Sequence, residues 1–146
     1  MCCLASLYLT STRHHSQIPN LVNLDLSENP LFEADGVREL LRFLKQTSLR
    51  SLSLARCGLT HNAAKFLRYG ASKLPDEIEH LDVDGNLFDD ESAKLIASLL
   101  RDIVRHRRKN KNKTGFNVVL TQHSKRVTSV GLSHVSAARL EAELNC

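Results

Sequence analysis

One hydrophobic pattern recurs along the chain at nearly constant spacing. Residues 21–31 read Leu-Val-Asn-Leu-Asp-Leu-Ser-Glu-Asn-Pro-Leu, that is L-x-x-L-x-L-x-x-N-x-L. The pattern returns over 49–59 as Leu49, Leu52, Leu54, Cys57 and Leu59. It returns again over 78–88 as Ile78, Leu81, Val83, Asn86 and Phe88. Leu24 and Leu26 alternate with polar residues, as on a short strand with one buried face. Asn29 falls where such a strand must turn, and its side chain can hydrogen-bond the backbone of neighbouring coils. A unit of this size cannot bury its apolar face alone, whereas stacked units share one core.

Between the strands the apolar period changes to that of a helix. Asp35 predicts an N-cap for a helix carrying Val37, Leu40, Leu41 and Leu44. Thr60 predicts the next, with Ala64, Phe66, Leu67 and Ala71, bounded by Gly70 and Pro75. Asp89, Asp90 and Glu91 suit the start of a third helix, expected over 90–106, with Arg101, Arg105, Arg107 and Arg108 at its far end. Its apolar stripe is Ala93, Ile96, Ala97, Leu100, Ile103 and Val104. A basic loop is expected over 107–115. Phe116, Val118, Val119 and Leu120 then form a β-rich run, with Val118 and Leu120 at the inner positions and His123 in the place of Asn. Ser133 predicts the cap of a last helix with Val135, Ala138, Leu140 and Leu144. Residues 116–146 thus read as a divergent terminal repeat.

Leu4, Leu7 and Leu9 fit the same frame, so a strand is expected almost from Met1. The next frame begins already at Leu21, too soon for a strand, a turn and a helix between them. Residues 14–20 are therefore expected to return as a loop, with Pro19 opposing a helix. No amphipathic cap precedes Leu4. An uncapped first coil exposes apolar surface and a strand edge, so the chain reads as the end of a longer array.

The units that start at Leu21, Leu49 and Ile78, each with a full helix, resemble the ribonuclease-inhibitor-like class of leucine-rich repeats. The resemblance is good over 4–106 and weak beyond. It implies a single α/β domain over 1–146, a short solenoid with parallel strands on its concave face and helices on its convex face. It implies a binding surface and no particular chemistry. A composition 42% hydrophobic but only 5% aromatic, without Trp, suits a core of stacked leucines.

A narrower resemblance lies in Pro19-Asn-Leu-Val-Asn-Leu-Asp-Leu-Ser-Glu-Asn-Pro. It is similar to a repeat near the carboxyl end of tonsoku-like proteins. Glu39-Leu-Leu-Arg-Phe-Leu and Leu52-Ser-Leu-Ala-Arg-Cys follow at matching distances. Val119-Leu-Thr-Gln-His-Ser-Lys is similar to that family's final strand. The resemblance implies a nuclear scaffold of replication-fork repair whose leucine-rich end holds a large protein partner. No ankyrin or tetratricopeptide pattern occurs here, so that family's histone reading is not carried over.

Side chains beside the strand leucines face the concave side. They are Ser6, Tyr8 and Thr10; Asn23, Asp25 and Ser27; Ser51, Ser53 and Ala55; His80, Asp82 and Asp84. Glu28 and Arg56 stand at strand ends. The candidate protein-binding set is Tyr8, Asn23, Asp25, Glu28, Ser53, Arg56, His80, Asp82 and Asp84. Its acidic bias suits a basic or mixed partner, and a solvated strand face remains the plain alternative. A metal shared by Asp25 and Asp82 is not expected, because the Ser53 strand separates them.

The second candidate is the basic segment 101–113, with Arg105, Arg107, Arg108, Lys109, Lys111 and Lys113 beyond Arg101. It reads as a solvated helix end and loop, a nuclear-localisation signal, or a nucleic-acid contact. It carries no aromatic residue for stacking on bases. Net charge is only +4.

The four cysteines form no spaced framework, which suggests a reducing compartment, nuclear or cytoplasmic. Cys2, Cys3, His14 and His15 lack zinc-ligand spacing. Cys57 is expected to pack inward in the place of Asn, and His61 alone beside it makes no catalytic triad. The sequence therefore predicts a binding protein rather than an enzyme, with no cofactor, metal, small-molecule substrate or membrane span.

Overall fold

A computed structural model describes residues 21–30, 33–45, 47–110, 115–121, 123–124 and 126–144. The expected strand at Leu4 to Leu9, Tyr8, the Cys2, Cys3, His14 and His15 cluster, and Lys111 and Lys113 lie outside the described residues. Among the described residues four strands alternate with four helices: β1 (Asn23–Asp25), α1 (Ala34–Leu44), β2 (Ser51–Ser53), α2 (His61–Tyr69), β3 (His80–Asp82), α3 (Asp90–Lys109), β4 (Asn117–Val119) and α4 (Ser129–Glu143). A short 3-10 turn, Ala71–Lys73, follows α2 and takes up Ala71.

All strand pairs are parallel, and the sheet keeps chain order. Leu24, Leu52, Leu81 and Val118 stand in register across it. The ladder continues past the strand ends, where the Leu26, Leu54 and Val83 N–H groups donate to Ser53, Asp82 and Val119 carbonyls at 2.9, 2.8 and 3.1 Å. Leu26, Leu52, Leu54, Leu81, Val83, Val118 and Leu120 are buried, together with the inner faces of the four helices. Leu24, on the outermost described strand, is half-buried. The fold is a short leucine-rich-repeat solenoid.

Asn86 binds as the pattern predicts, whereas Asn29 donates to the Leu26 and Ser27 carbonyls of its own coil at 2.8 and 3.1 Å. Asn86 is fully buried and accepts from the Cys57 and Leu59 N–H groups at 2.9 and 3.0 Å. Its amide donates to the Leu54 and Val83 carbonyls at 2.9 and 2.8 Å. Cys57 is buried in the equivalent place, with its thiol 3.1 Å from the Leu26 carbonyl.

Three element ends differ from expectation. α1 begins two residues early, with Glu33 as N-cap, and Asp35 sits in the first turn, where it pairs with Arg38 at 3.4 Å. α4 begins at Ser129 because Asp90 holds Thr128, accepting its N–H at 2.7 Å and its hydroxyl at 2.6 Å. Gly131 permits this approach, since a Cβ there would lie 2.3 Å from the Asp90 carboxylate. Ser133 is consequently inside α4, its hydroxyl donating to the Val130 carbonyl. The buried stripe of α4 is Gly131, Val135 and Ala138, which leaves Leu140 and Leu144 exposed.

α3 runs on to Lys109 rather than ending near His106. Its stripe Ile96, Leu100, Ile103 continues to Arg107, which is only 5% exposed. The Arg107 guanidinium donates to the Gly115 and Asp76 carbonyls at 2.8 and 3.0 Å, and to the Ile78 carbonyl. It also lies 5.6 Å from the centre of the Phe116 ring. Among the described residues no helix is long and apolar enough to cross a membrane.

Candidate functional site

The parallel register lines up two rows on the concave face. One is Asn23, Ser51, His80 and Asn117; the other is Asp25, Ser53, Asp82 and Val119. Adjacent strands stand about 4.8 Å apart, so Asp25 and Asp82 lie roughly 10 Å from one another across Ser53. A depression of about 320 Å³ is lined by Asp25, Glu28, Ser53, Arg56, Asp82 and Asp84.

Both aspartates of the row are fixed by the same local bond. Asp25 accepts from the Ser27 N–H at 2.9 Å, and Asp82 from the Asp84 N–H at 3.0 Å. Such bonds form because a short Asp side chain reaches the backbone two residues on. The hydroxyl and N–H of Ser27 hold the Asp25 carboxyl below its ordinary range, against a smaller upward push from desolvation. Both side chains thus reach a ligand with little rotamer freedom left to lose.

Glu28, Arg56 and Gly85 occupy equivalent turn positions and share left-handed backbone, with φ of 60°, 54° and 67°. Glu28 and Arg56 pair at 2.9 Å, both well exposed. The Arg56 stem lies over Gly85, where a Cβ would come within 2.7 Å of its Cγ. The rim of the depression is therefore one charge pair of zero net charge.

Asp84 belongs to a different arrangement from the open acidic face expected of it. Its carboxylate accepts from the Thr121 N–H and hydroxyl at 2.8 and 2.9 Å and stands 3.1 Å from His123 Nδ1. It ties the exit of β4 to β3, and its side chain is only 18% exposed. His123 occupies the Asn position of the last unit, but its ring is out on the surface beside Asp84 rather than inside the turn. Thr121 was not singled out in the sequence, which carries no local mark of a bond between segments so far apart along the chain.

In the basic segment, Arg105, Arg108 and Lys109 are exposed. Arg107 is not part of that surface, because backbone carbonyls and Phe116 engage it in the interior. Its place could have been read from the helical spacing that puts it on the core stripe. Among the described residues no three His, Cys, Asp or Glu side chains group as a metal site would.

No family model matches the sequence. Over 123 residues, 83% of the chain, it is 35% identical to NACHT, LRR and PYD domains-containing protein 14 of Mus musculus. The chain spans 11% of that relative's length. Among solved structures it is similar to the tropomodulin C-terminal domain of Caenorhabditis elegans. The TM-score is 0.53 at 14% identity, over 88% of this chain and 87% of that one, a likeness that shows the fold alone.

Proposed function

We propose that this solenoid is a non-catalytic protein-interaction module whose concave face receives a basic surface of a protein partner. The observation that carries the reading is the row Asp25, Ser53, Asp82, two backbone-anchored carboxylates on either side of a small hydroxyl. A basic side chain entering over Ser53 meets both. Asn23 and His80, in the adjacent row, add polar contacts, and the Glu28–Arg56 pair borders the depression. Acidic groups held on a rigid face attract and orient a basic partner.

A display selection on the wild-type chain, followed by titration of the enriched peptides, tests this. The expected peptides are rich in Lys and Arg. Asp25→Lys with Asp82→Lys should weaken them about tenfold or more, near 1.4 kcal/mol. Replacing Lys109, Lys111 and Lys113 by Ala should leave them unchanged. Peptides that keep their affinity for the double aspartate variant would overturn the reading.

The finer setting is a nuclear scaffold of replication-fork repair. It rests on the resemblance of residues 19–30 and 119–125 to tonsoku-like proteins, with Arg105 to Lys113 as the import signal. A tagged chain that stays outside the nucleus while replication forks are stalled would count against it. A nucleic-acid contact through 101–113 is the weaker reading, because Arg107 is withdrawn from the surface.

A further inference from the structure

The arginines of α3 form a second charged surface, away from the concave face. Arg101, Arg105 and Arg108 are spaced i, i+4 and i+7, so they stand in one row about 10 Å long. The row borders a groove of about 120 Å³ between α3 and α4, lined also by Val104, Ala138, Ala142 and Glu141. Glu141 grips Arg101 with both oxygens, at 2.8 and 3.1 Å. Arg105 is 70% exposed, and its 3.7 Å contact to Asp102 is long. Arg68 holds the other oxygen of Asp102 at 2.6 Å. Leu144, the C-cap of α4 three residues beyond Glu141, is 86% exposed, and Leu140 is 59% exposed.

We propose that this groove docks an acidic, amphipathic helical segment of a protein partner. The Arg101–Glu141 pair is the internal instance of the bond: α4 supplies a carboxylate to the first rung, and the partner supplies a carboxylate to the exposed Arg105, with the charge of Arg108 adding to the attraction along the row. The partner's apolar edge covers Leu144 and Leu140. Paired carboxylate and guanidinium planes bond bidentately, which fixes register as well as affinity. Nucleic acid fits less well. Glu141 would repel a phosphate approaching along the groove, the lining is otherwise apolar, and no aromatic ring lines it for base stacking.

The intact chain can be titrated with a helical peptide of about 16 residues, carrying Glu at i, i+4 spacing along one edge and Leu along the next. Fluorescence anisotropy at physiological salt reads the affinity, with a scrambled peptide and a short DNA duplex alongside. Arg105→Glu with Arg108→Glu should weaken the designed peptide about tenfold or more. Glu141→Gln releases Arg101 as a further rung and should tighten it roughly threefold, a gain that a folding defect cannot produce. Asp25→Lys with Asp82→Lys should change it by less than about twofold, which separates this surface from the concave one. Tighter binding of the duplex, equal binding of the scrambled peptide, no binding at about 1 mM, or indifference to the arginine variant would overturn the proposal.

Discussion

Asn86 makes four hydrogen bonds of 3.0 Å or shorter in a site with no solvent access, joining the β2 coil to the β3 coil. Asn86→Ala would leave two N–H groups and two carbonyls of neighbouring turns without this partner. At about 1 kcal/mol net for each bond, the loss should be roughly 3–4 kcal/mol by equilibrium denaturation. A loss under about 1 kcal/mol would show that water or a shifted turn replaces the amide. Asp84 acts differently, through its charge. Burial pushes its carboxyl up, but the Thr121 bonds, His123 and the Gly85 N–H together outweigh it and leave it below its ordinary 3.8. A depressed carboxyl stabilises fully above pH 3.8, and its contribution fades as pH falls through the native value. Hydrogen exchange at the Thr121 amide, corrected for intrinsic rate, should therefore keep its protection down to about pH 3.8 and lose it as pH falls further in the wild type. In Asp84→Asn it should already be poorly protected at the higher pH. Equal protection in both proteins across the range would remove Asp84 from its role in holding the β4 exit.

At the scale of elements, α3 shows what anchors a helix end. Its last turn is rich in cations, as the dipole favours, and one of them, Arg107, turns inward to hold it. Burial pulls the Arg107 guanidinium below its ordinary value, and Glu79, Asp76 and Glu77 pull it back. It joins α3 to the segments entering β3 and β4. Arg107→Ala should cost about 3 kcal/mol, since charged hydrogen bonds are the strong ones and their carbonyl partners would be stranded. Arg105→Ala, two residues earlier and exposed, should stay within about 0.5 kcal/mol. Similar losses in thermal unfolding for both would refute the distinction. The strands and the three regular helices were legible because strand alternation, helical period and repeat spacing agree on which side chains go inside. The terminal unit was less so. α4 takes its start from Asp90 and Gly131, a contact between elements that no local period records. Arg107 is charged, and charge usually means surface, so its position on the core stripe was outweighed by its type.

Across the whole molecule, the register decides which candidate residues can act together. Asp25 and Asp82 were legible as concave-face residues from alternation alone, and their common row follows from the parallel pairing. The engagement of Asp84 by Thr121 was not, because it depends on how the last unit closes against the third. What results is a two-layer body with an acidic row on the sheet and an arginine row on the helices. One packing layer and a helix diameter put these rows roughly 20 Å apart. At physiological ionic strength the screening length is about 8 Å, so the rows should act independently; at about 0.01 M it is near 30 Å, and they should feel each other. The acidic concave row repels an acidic ligand approaching α3 and α4. Reversing it with Asp25→Lys and Asp82→Lys removes that repulsion and adds attraction. The designed acidic peptide should therefore bind this variant and the wild type alike at physiological salt, and bind the variant several-fold more tightly at about 0.01 M. The comparison is made by anisotropy titration of both proteins across the salt range. A difference that persists undiminished at physiological salt would mean that the peptide touches the concave face itself. No difference at either salt would mean that the two rows are further apart, or better shielded, than the coil geometry gives.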